Sequence, residues 1–210
     1  RGFIKTGLGK RIAYNLISAF GSSSLRLAYA LALSDLILAP ATPSNTARVG
    51  GVIMPITTSL AKAFGSEPQN GPRKIGSFLM QSIYQVNTIT SAMFQTSMAG
   101  NTLVAALALQ SFGIGITWGD WAMAAIVPGI IALIIMPYFI YKVYPPEIKD
   151  AREAQQMIRE ELKGLGKMSF QEWVMLGVFI LALVLWATSQ FTKLDATTVA
   201  FLGISILLAT

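Results

Sequence analysis

The sequence contains no cysteine and no histidine. Within these 210 residues that rules out disulfides, thiolate or imidazole metal sites, and imidazole acid–base catalysis. Charge is scarce too. Asp, Glu, Lys and Arg make up 12% of the chain, about half the roughly 25% usual in soluble domains. Almost none of them fall between Lys74 and Lys142. With 53% hydrophobic residues and a mean hydropathy of +0.57, the chain reads as an all-α polytopic membrane protein. Its net charge is +6. A basic excess often signals nucleic acid, but here Lys and Arg cluster in short segments beside apolar runs. Cytoplasmic loops of membrane proteins have this pattern, so the lipid bilayer is the expected partner and nucleic acid is not.

The most informative stretch is Pro40-Ala41-Thr42-Pro43-Ser44-Asn45-Thr46-Ala47-Arg48, set between two apolar arms. Each proline removes a backbone donor and pushes the residue before it out of helical geometry. Neither arm is long enough to span a bilayer comfortably, so residues 24–64 read as a re-entrant helical hairpin with its tip between Ala39 and Thr46. Broken backbone at membrane depth is tolerated where it is buried in protein or lines a cavity. A helix restarting at Ser44-Asn45-Thr46 would offer unpaired N–H groups and a positive dipole end, which favour an anion.

Around this hairpin the chain divides by polarity. Residues 1–23 form a basic interfacial segment whose Lys and Arg side chains would snorkel, with Gly21-Ser22-Ser23-Ser24 as a turn or cap. Residues 75–112 are a long helix, rich in amides and hydroxyls and expected to break near Thr96-Ser97-Met98-Ala99-Gly100-Asn101. Trp118 and Trp121 read as an interfacial aromatic belt, followed by a span over 122–143 with kinks at Pro128 and Pro137. Residues 145–167 form an amphipathic cytoplasmic helix and linker. Ile148, Ala151, Ala154, Ile158, Leu162 and Leu165 share one face of it, and Lys149 and Glu153 stand at i,i+4 spacing. A further span covers 173–191, and another begins at 197 and runs to Thr210. Because Arg1 opens on an internal-looking segment and Thr210 lies inside an apolar run, the chain reads as a piece of a longer protein. The six Lys and Arg residues between Lys142 and Lys167 place that segment inside, and charge parity then puts both ends of the hairpin on the cytoplasmic side.

Each candidate site residue has a plain reading beside its chemical one. Ser44, Asn45 and Thr46 are neutral donors that can hold a carboxylate and still release it; a bare Ser-Asn-Thr is otherwise an ordinary helix cap. Arg48 can fork onto a carboxylate, or pair with Asp35 across the hairpin. Thr96, Ser97, Gly100 and Asn101 can close the facing side of the site, with helix–helix hydrogen bonding as the alternative, which is the preferred reading for Gln81, Gln85 and Asn87. The glycine pair Gly50-Gly51 reads as a packing surface.

Three stretches resemble the divalent anion–sodium symporter family, in particular its citrate/succinate and 2-oxoglutarate/malate antiporter branch. They are Gly7-Leu8-Gly9-Lys10-Arg11-Ile12-Ala13-Tyr14, then Ala39 through Gly51, which includes the Ser-Asn-Thr, and Ser91 through Asn101. The resemblance implies that Ser44, Asn45 and Thr46 sit at a hairpin tip and touch a substrate carboxylate, and that residues 96–101 face them. It also implies an inverted repeat, a homodimer and an elevator-like motion of the hairpin-bearing domain. With a single Ser-Asn-Thr, the chain corresponds to the first half of such a transporter. It implies a di- or tricarboxylate substrate (citrate, succinate, malate, 2-oxoglutarate or tartrate) and a bacterial inner membrane. No cofactor is expected. The sodium-coupled branch carries a serine four residues before the motif serine, where this chain has Pro40, which offers neither a side-chain oxygen nor an N–H. That substitution weakens sodium coupling and favours anion exchange. A sodium symporter is the alternative; a channel or scaffold would not need paired breaks, and an enzyme would lack a general base.

Overall fold

The computed structural model describes residues 2–210 and is helical throughout; among these residues there is no strand, only two isolated bridges. Two helices, α1 (Gly2–Thr6) and α2 (Leu8–Phe20), meet at Gly7, whose φ of 82° is a left-handed value that glycine adopts freely. Arg1 lies outside the described residues. Next, α3 (Ser24–Leu38) starts where the Ser23 hydroxyl accepts the Arg26 N–H at 3.3 Å, and it stops at Pro40. After the loop 39–44 the chain resumes as α4 (Asn45–Arg48), a π-helical turn (Val49–Ile53) and α5 (Met54–Ala63), all one helical arm. The π turn has a local cause. Pro55 has no N–H for the Gly51 carbonyl, and the register slips so that the Met54 N–H reaches Val49 O instead.

The long polar segment divides into α6 (Gly76–Met93) and α7 (Ala99–Phe112). Then follow α8 (Trp118–Val143), α9 (Arg152–Gly164), α10 (Phe170–Ala187), the short α11 (Ser189–Thr192) and α12 (Ala196–Ala209). Both α8 and α10 open with a full capping box, Thr117 with Asp120 and Ser169 with Glu172. These two helices are long and apolar enough to cross a bilayer. On α8 the side chains of Val127, Ile131, Ile134 and Phe139 are exposed, the surface a lipid-facing helix presents.

The main core gathers α2, α3, both arms of the hairpin, α6, α9 and α10 around Ile17, Leu31, Ile53, Phe78, Ile158 and Phe179. It matters to the site because it fixes α3 and α6 side by side, and both carry polar groups to the breaks. The α9 face is narrower than its periodicity predicts. Ala151, Ala154 and Ile158 are buried, whereas Leu165 is exposed. Lys149 and Glu153 form no pair, because the helix begins only at Arg152. The chain before it is extended, with Lys149 O accepting from Ser24 N and Asp150 bridging to Ser23. There the Arg152 guanidinium beside Asp150 holds its carboxyl below the usual carboxylate range.

Two more expectations are corrected. Arg11 does not snorkel: it pairs with Glu172 at 2.6 Å and donates to the carbonyls of Gly166, Leu165 and Lys167, tying α2 to the start of α10. Trp118 is no belt residue. It is buried, stacked between Phe94 and Trp186 with centroids 5.7 and 6.1 Å away. Of the glycine pair only Gly51 packs closely: a Cβ there would stand 2.3 Å from Ile4 Cδ1, while one on Gly50 would meet open space.

Candidate functional site

Two backbone interruptions, residues 39–44 and 94–98, lie against each other. Thr96 Oγ1 donates to Pro40 O at 2.6 Å, and Arg48 Nη1 donates to Ser97 O at 3.3 Å. Asn45 Nδ2 lies 4.0 Å from Met98 Sδ, so the hairpin tip touches the start of α7.

At the tip, Ser44 and Asn45 use their acceptors on the helix and leave donors unpaired. Ser44 Oγ accepts the Ala47 N–H at 3.2 Å, and Asn45 Oδ1 accepts the Thr46 N–H at 2.8 Å. These are cap bonds, and they satisfy two of the N–H groups expected to be free. The Ser44 hydroxyl proton, the Asn45 amide hydrogens and the Asn45 backbone N–H meet no strong acceptor among the described residues. Ser44 and Thr46 are exposed and Asn45 is half-buried. Ser44 and Asn45 thus spend acceptor capacity on the helix they start and keep donor capacity unused, whereas the Thr46 hydroxyl turns back to donate to Asn45 Oδ1 at 3.4 Å.

Facing the tip, α7 begins at Ala99, and its N-cap residue Met98 makes no side-chain cap bond. The N–H groups of Ala99 and Gly100 are left without partners among the described residues, and Gly100 is half-buried beside Met98. The other three residues expected here turn away. Asn101 Nδ2 donates to Ser91 O at 2.7 Å and Phe94 O at 2.9 Å, and the Ser97 hydroxyl donates to Ser91 O at 2.6 Å. Together they close the carbonyls that α6 leaves open at its C-terminus. Thr96 is spent between Pro40 O and the Trp118 indole N–H, the latter at 3.0 Å.

Of the two readings of Arg48, the structure shows the pair with Asp35. It is 1% exposed and does not reach the open face of the tip. Nε donates to Asp35 Oδ1 at 2.8 Å, Nη1 to Thr42 O and Ser97 O, and Nη2 to Thr90 Oγ1 and Ser91 Oγ, both at 3.1 Å. Asp35, 2% exposed, also accepts from Thr90 Oγ1 at 2.5 Å and Asn87 Nδ2 at 3.3 Å. Thr90 gave no sequence signal beyond its place in a polar helix, and Ser91 only its place at the start of the third family-like stretch.

Behind the breaks lies a cleft of about 410 Å³ between Pro40, Pro43 and Thr96 on one side and Phe179, Trp186 and Val199 on the other. Its walls are largely apolar and it does not include Ser44, Asn45 or Thr46. No group of three or more metal-ligating side chains occurs among the described residues.

The family described as the sodium:sulfate symporter transmembrane region matches residues 1–210. The chain belongs to this family. It is 54% identical over 209 residues to YflS of Bacillus subtilis, covering 99% of this chain and 44% of that protein. It is 47% identical to chloroplastic dicarboxylate transporter 1 of Spinacia oleracea, covering 100% of this chain and 37% of the relative. The citrate/succinate antiporter of Escherichia coli is 37% identical, with 99% of this chain and 43% of the relative covered. The chain thus spans less than half the length of these relatives. The family and the names within it are those of membrane transporters, not enzymes.

Proposed function

We propose that this chain forms the first half of a secondary transporter for di- or tricarboxylates, with Ser44, Asn45 and Thr46 and the N-terminus of α7 contributing one side of the substrate site. The observation that carries this reading is the outward set of hydrogen-bond donors at two adjoining helix starts, with the matching acceptors turned inward. Neutral donors and helix N-termini favour a carboxylate without holding it as a fixed ion pair would. Relatives named for dicarboxylate transport and citrate/succinate antiport support the substrate class.

The hairpin is read as re-entrant. At 15 residues, α3 is about 22 Å long, short of a hydrocarbon core of roughly 30 Å. Anion exchange is the favoured coupling. Pro40 supplies no side-chain oxygen, and its carbonyl and those of Thr42 and Ser97 already accept hydrogen bonds from Thr96 and Arg48. A sodium ion entering here would have to displace those bonds to replace its hydration oxygens, a costly exchange in a buried site. By family resemblance, the full protein works as a homodimer with an elevator-like motion, in a bacterial inner membrane.

Uptake of labelled succinate and citrate by the full-length protein in vesicles tests the coupling. Uptake is expected only into vesicles loaded with a dicarboxylate, and equally in sodium and in choline. Sodium-dependent uptake into empty vesicles would assign the protein to sodium symport instead.

A further inference from the structure

We infer that Arg48 is a positioning residue, a buried clamp that fastens the hairpin break to the α6–α7 break so that the two open donor sets face one substrate. The inference deepens the site reading above and rests on it for the identity of the ligand, but the clamp itself stands on geometry. A guanidinium has five N–H donors. All five are committed: one to Asp35 on α3, one to Thr42 O in the first break, one to Ser97 O in the second, and two to Thr90 and Ser91 on α6. Nothing remains to offer a carboxylate, and at 1% exposure the side chain has no open face to offer it from.

The choice of arginine follows from the spread of its partners. Two break carbonyls, a carboxylate and two hydroxyls lie around a single planar fork, which a lysine with three donors on one nitrogen cannot match. Asp35 neutralises the charge, and Thr90 joins the two members by accepting from Arg48 and donating to Asp35. Losing any one group leaves a buried charge or carbonyl short of a partner. The clamp lies below the tip: Arg48 is four residues after Ser44, one helical turn, and Ser97 is two residues before Ala99. Loosening it would let the donors of Asn45 and those of Ala99 and Gly100 drift apart without removing any of them.

The test uses full-length protein carrying Thr90→Val, Thr90→Ser, Asp35→Asn or, in parallel, Asn45→Ala. Amide hydrogen exchange is followed across the chain, and succinate KM and maximal exchange rate are measured in dicarboxylate-loaded vesicles. Thr90→Val is nearly isosteric, so it keeps the measurement interpretable if Asp35→Asn fails to fold. Thr90→Val is expected to speed amide exchange at residues 40–47 and 94–101 together while α8 and α10 stay protected. It should also raise KM on the order of fivefold with a smaller change in maximal rate, and Thr90→Ser should restore both. Unchanged exchange at the two breaks in Thr90→Val, or loosening of one break alone, would overturn the clamp. Retained or improved succinate affinity in Asp35→Asn would do so as well, because it would mean that a released Arg48 serves as a ligand. Asn45→Ala reads the site separately: if it leaves KM unchanged while Thr90→Val still loosens both breaks, the clamp stands and the ligand assignment falls.

Discussion

At the scale of single residues, the division between groups proposed to face a ligand and groups that hold the two breaks together follows from which hydrogen-bonding capacity is already used. Ser44 and Asn45 spend lone pairs on the helix they start and keep hydrogens free. Asn101 does the reverse, spending both amide hydrogens on the α6 carbonyls of Ser91 and Phe94. Replacing Asn101 by alanine would remove one donor from each carbonyl, leaving Ser91 O with the Ser97 hydroxyl and Phe94 O with the Ser97 N–H. The expected cost is about 0.5–1.5 kcal/mol of stability, seen as a lowered thermal midpoint, and saturating substrate should not restore the lost bonds. The sequence marked Ser44, Asn45 and Thr46 as a helix start after a proline break, which is where the structure has them. It could not tell a donor that faces outward from one that faces a carbonyl. Ser97 and Asn101 are chemically suited to either, and only the path of the chain after Met93 decides between them. Arg48 was ambiguous for the same reason. Asp35 was visible as a partner, whereas the carbonyls of Thr42 and Ser97 have no sequence signature at all.

At the scale of elements, prolines and polar patches mark where helices stop, and packing decides what lies beside each stop. Pro40 ends α3, and Pro55 displaces the hydrogen-bond register of the second arm. No proline stands at the end of α6. Met93 is buried against Gly129 of α8, where a Cβ would stand 2.6 Å from Met93 Cγ, so the two helices approach closely just before the second break. Gly129→Val should therefore cost about 1–3 kcal/mol of stability through overpacking, and should loosen residues 94–98 before the rest of the chain. That contact lay beyond sequence reasoning, because one glycine in an apolar helix looks like any other. The same holds for Trp118, whose ring reads as an interfacial anchor until its partners Phe94 and Trp186 are known. The re-entrant path of the hairpin can be tested by labelling. Single cysteines at positions 23 and 66 of a cysteine-free full-length protein should react from the same membrane face, and reaction from opposite faces would make residues 24–64 a crossing.

At the scale of the whole molecule, the chain is a coherent helical assembly with an open polar site. Its helices share a core from α2 to α10, and the cleft beside the breaks is lined by Pro40, Ala41 and Pro43 of the tip but not by Ser44, Asn45 or Thr46. The relatives are more than twice as long, so the site is proposed to be completed by chain beyond this segment. The central claim, that Ser44-Asn45-Thr46 at the tip holds a carboxylate, is tested most directly by equilibrium binding of succinate and citrate to purified full-length protein, wild type against Asn45→Ala. Asn45→Ala also loses the acceptor of the Thr46 N–H, so the thermal midpoint should fall slightly while the fold is kept, and whichever acid binds should weaken by about tenfold or more, the equivalent of roughly 1–3 kcal/mol. Equal affinity in a fully folded Asn45→Ala protein would contradict the account, and would leave the motif as the cap of a helix.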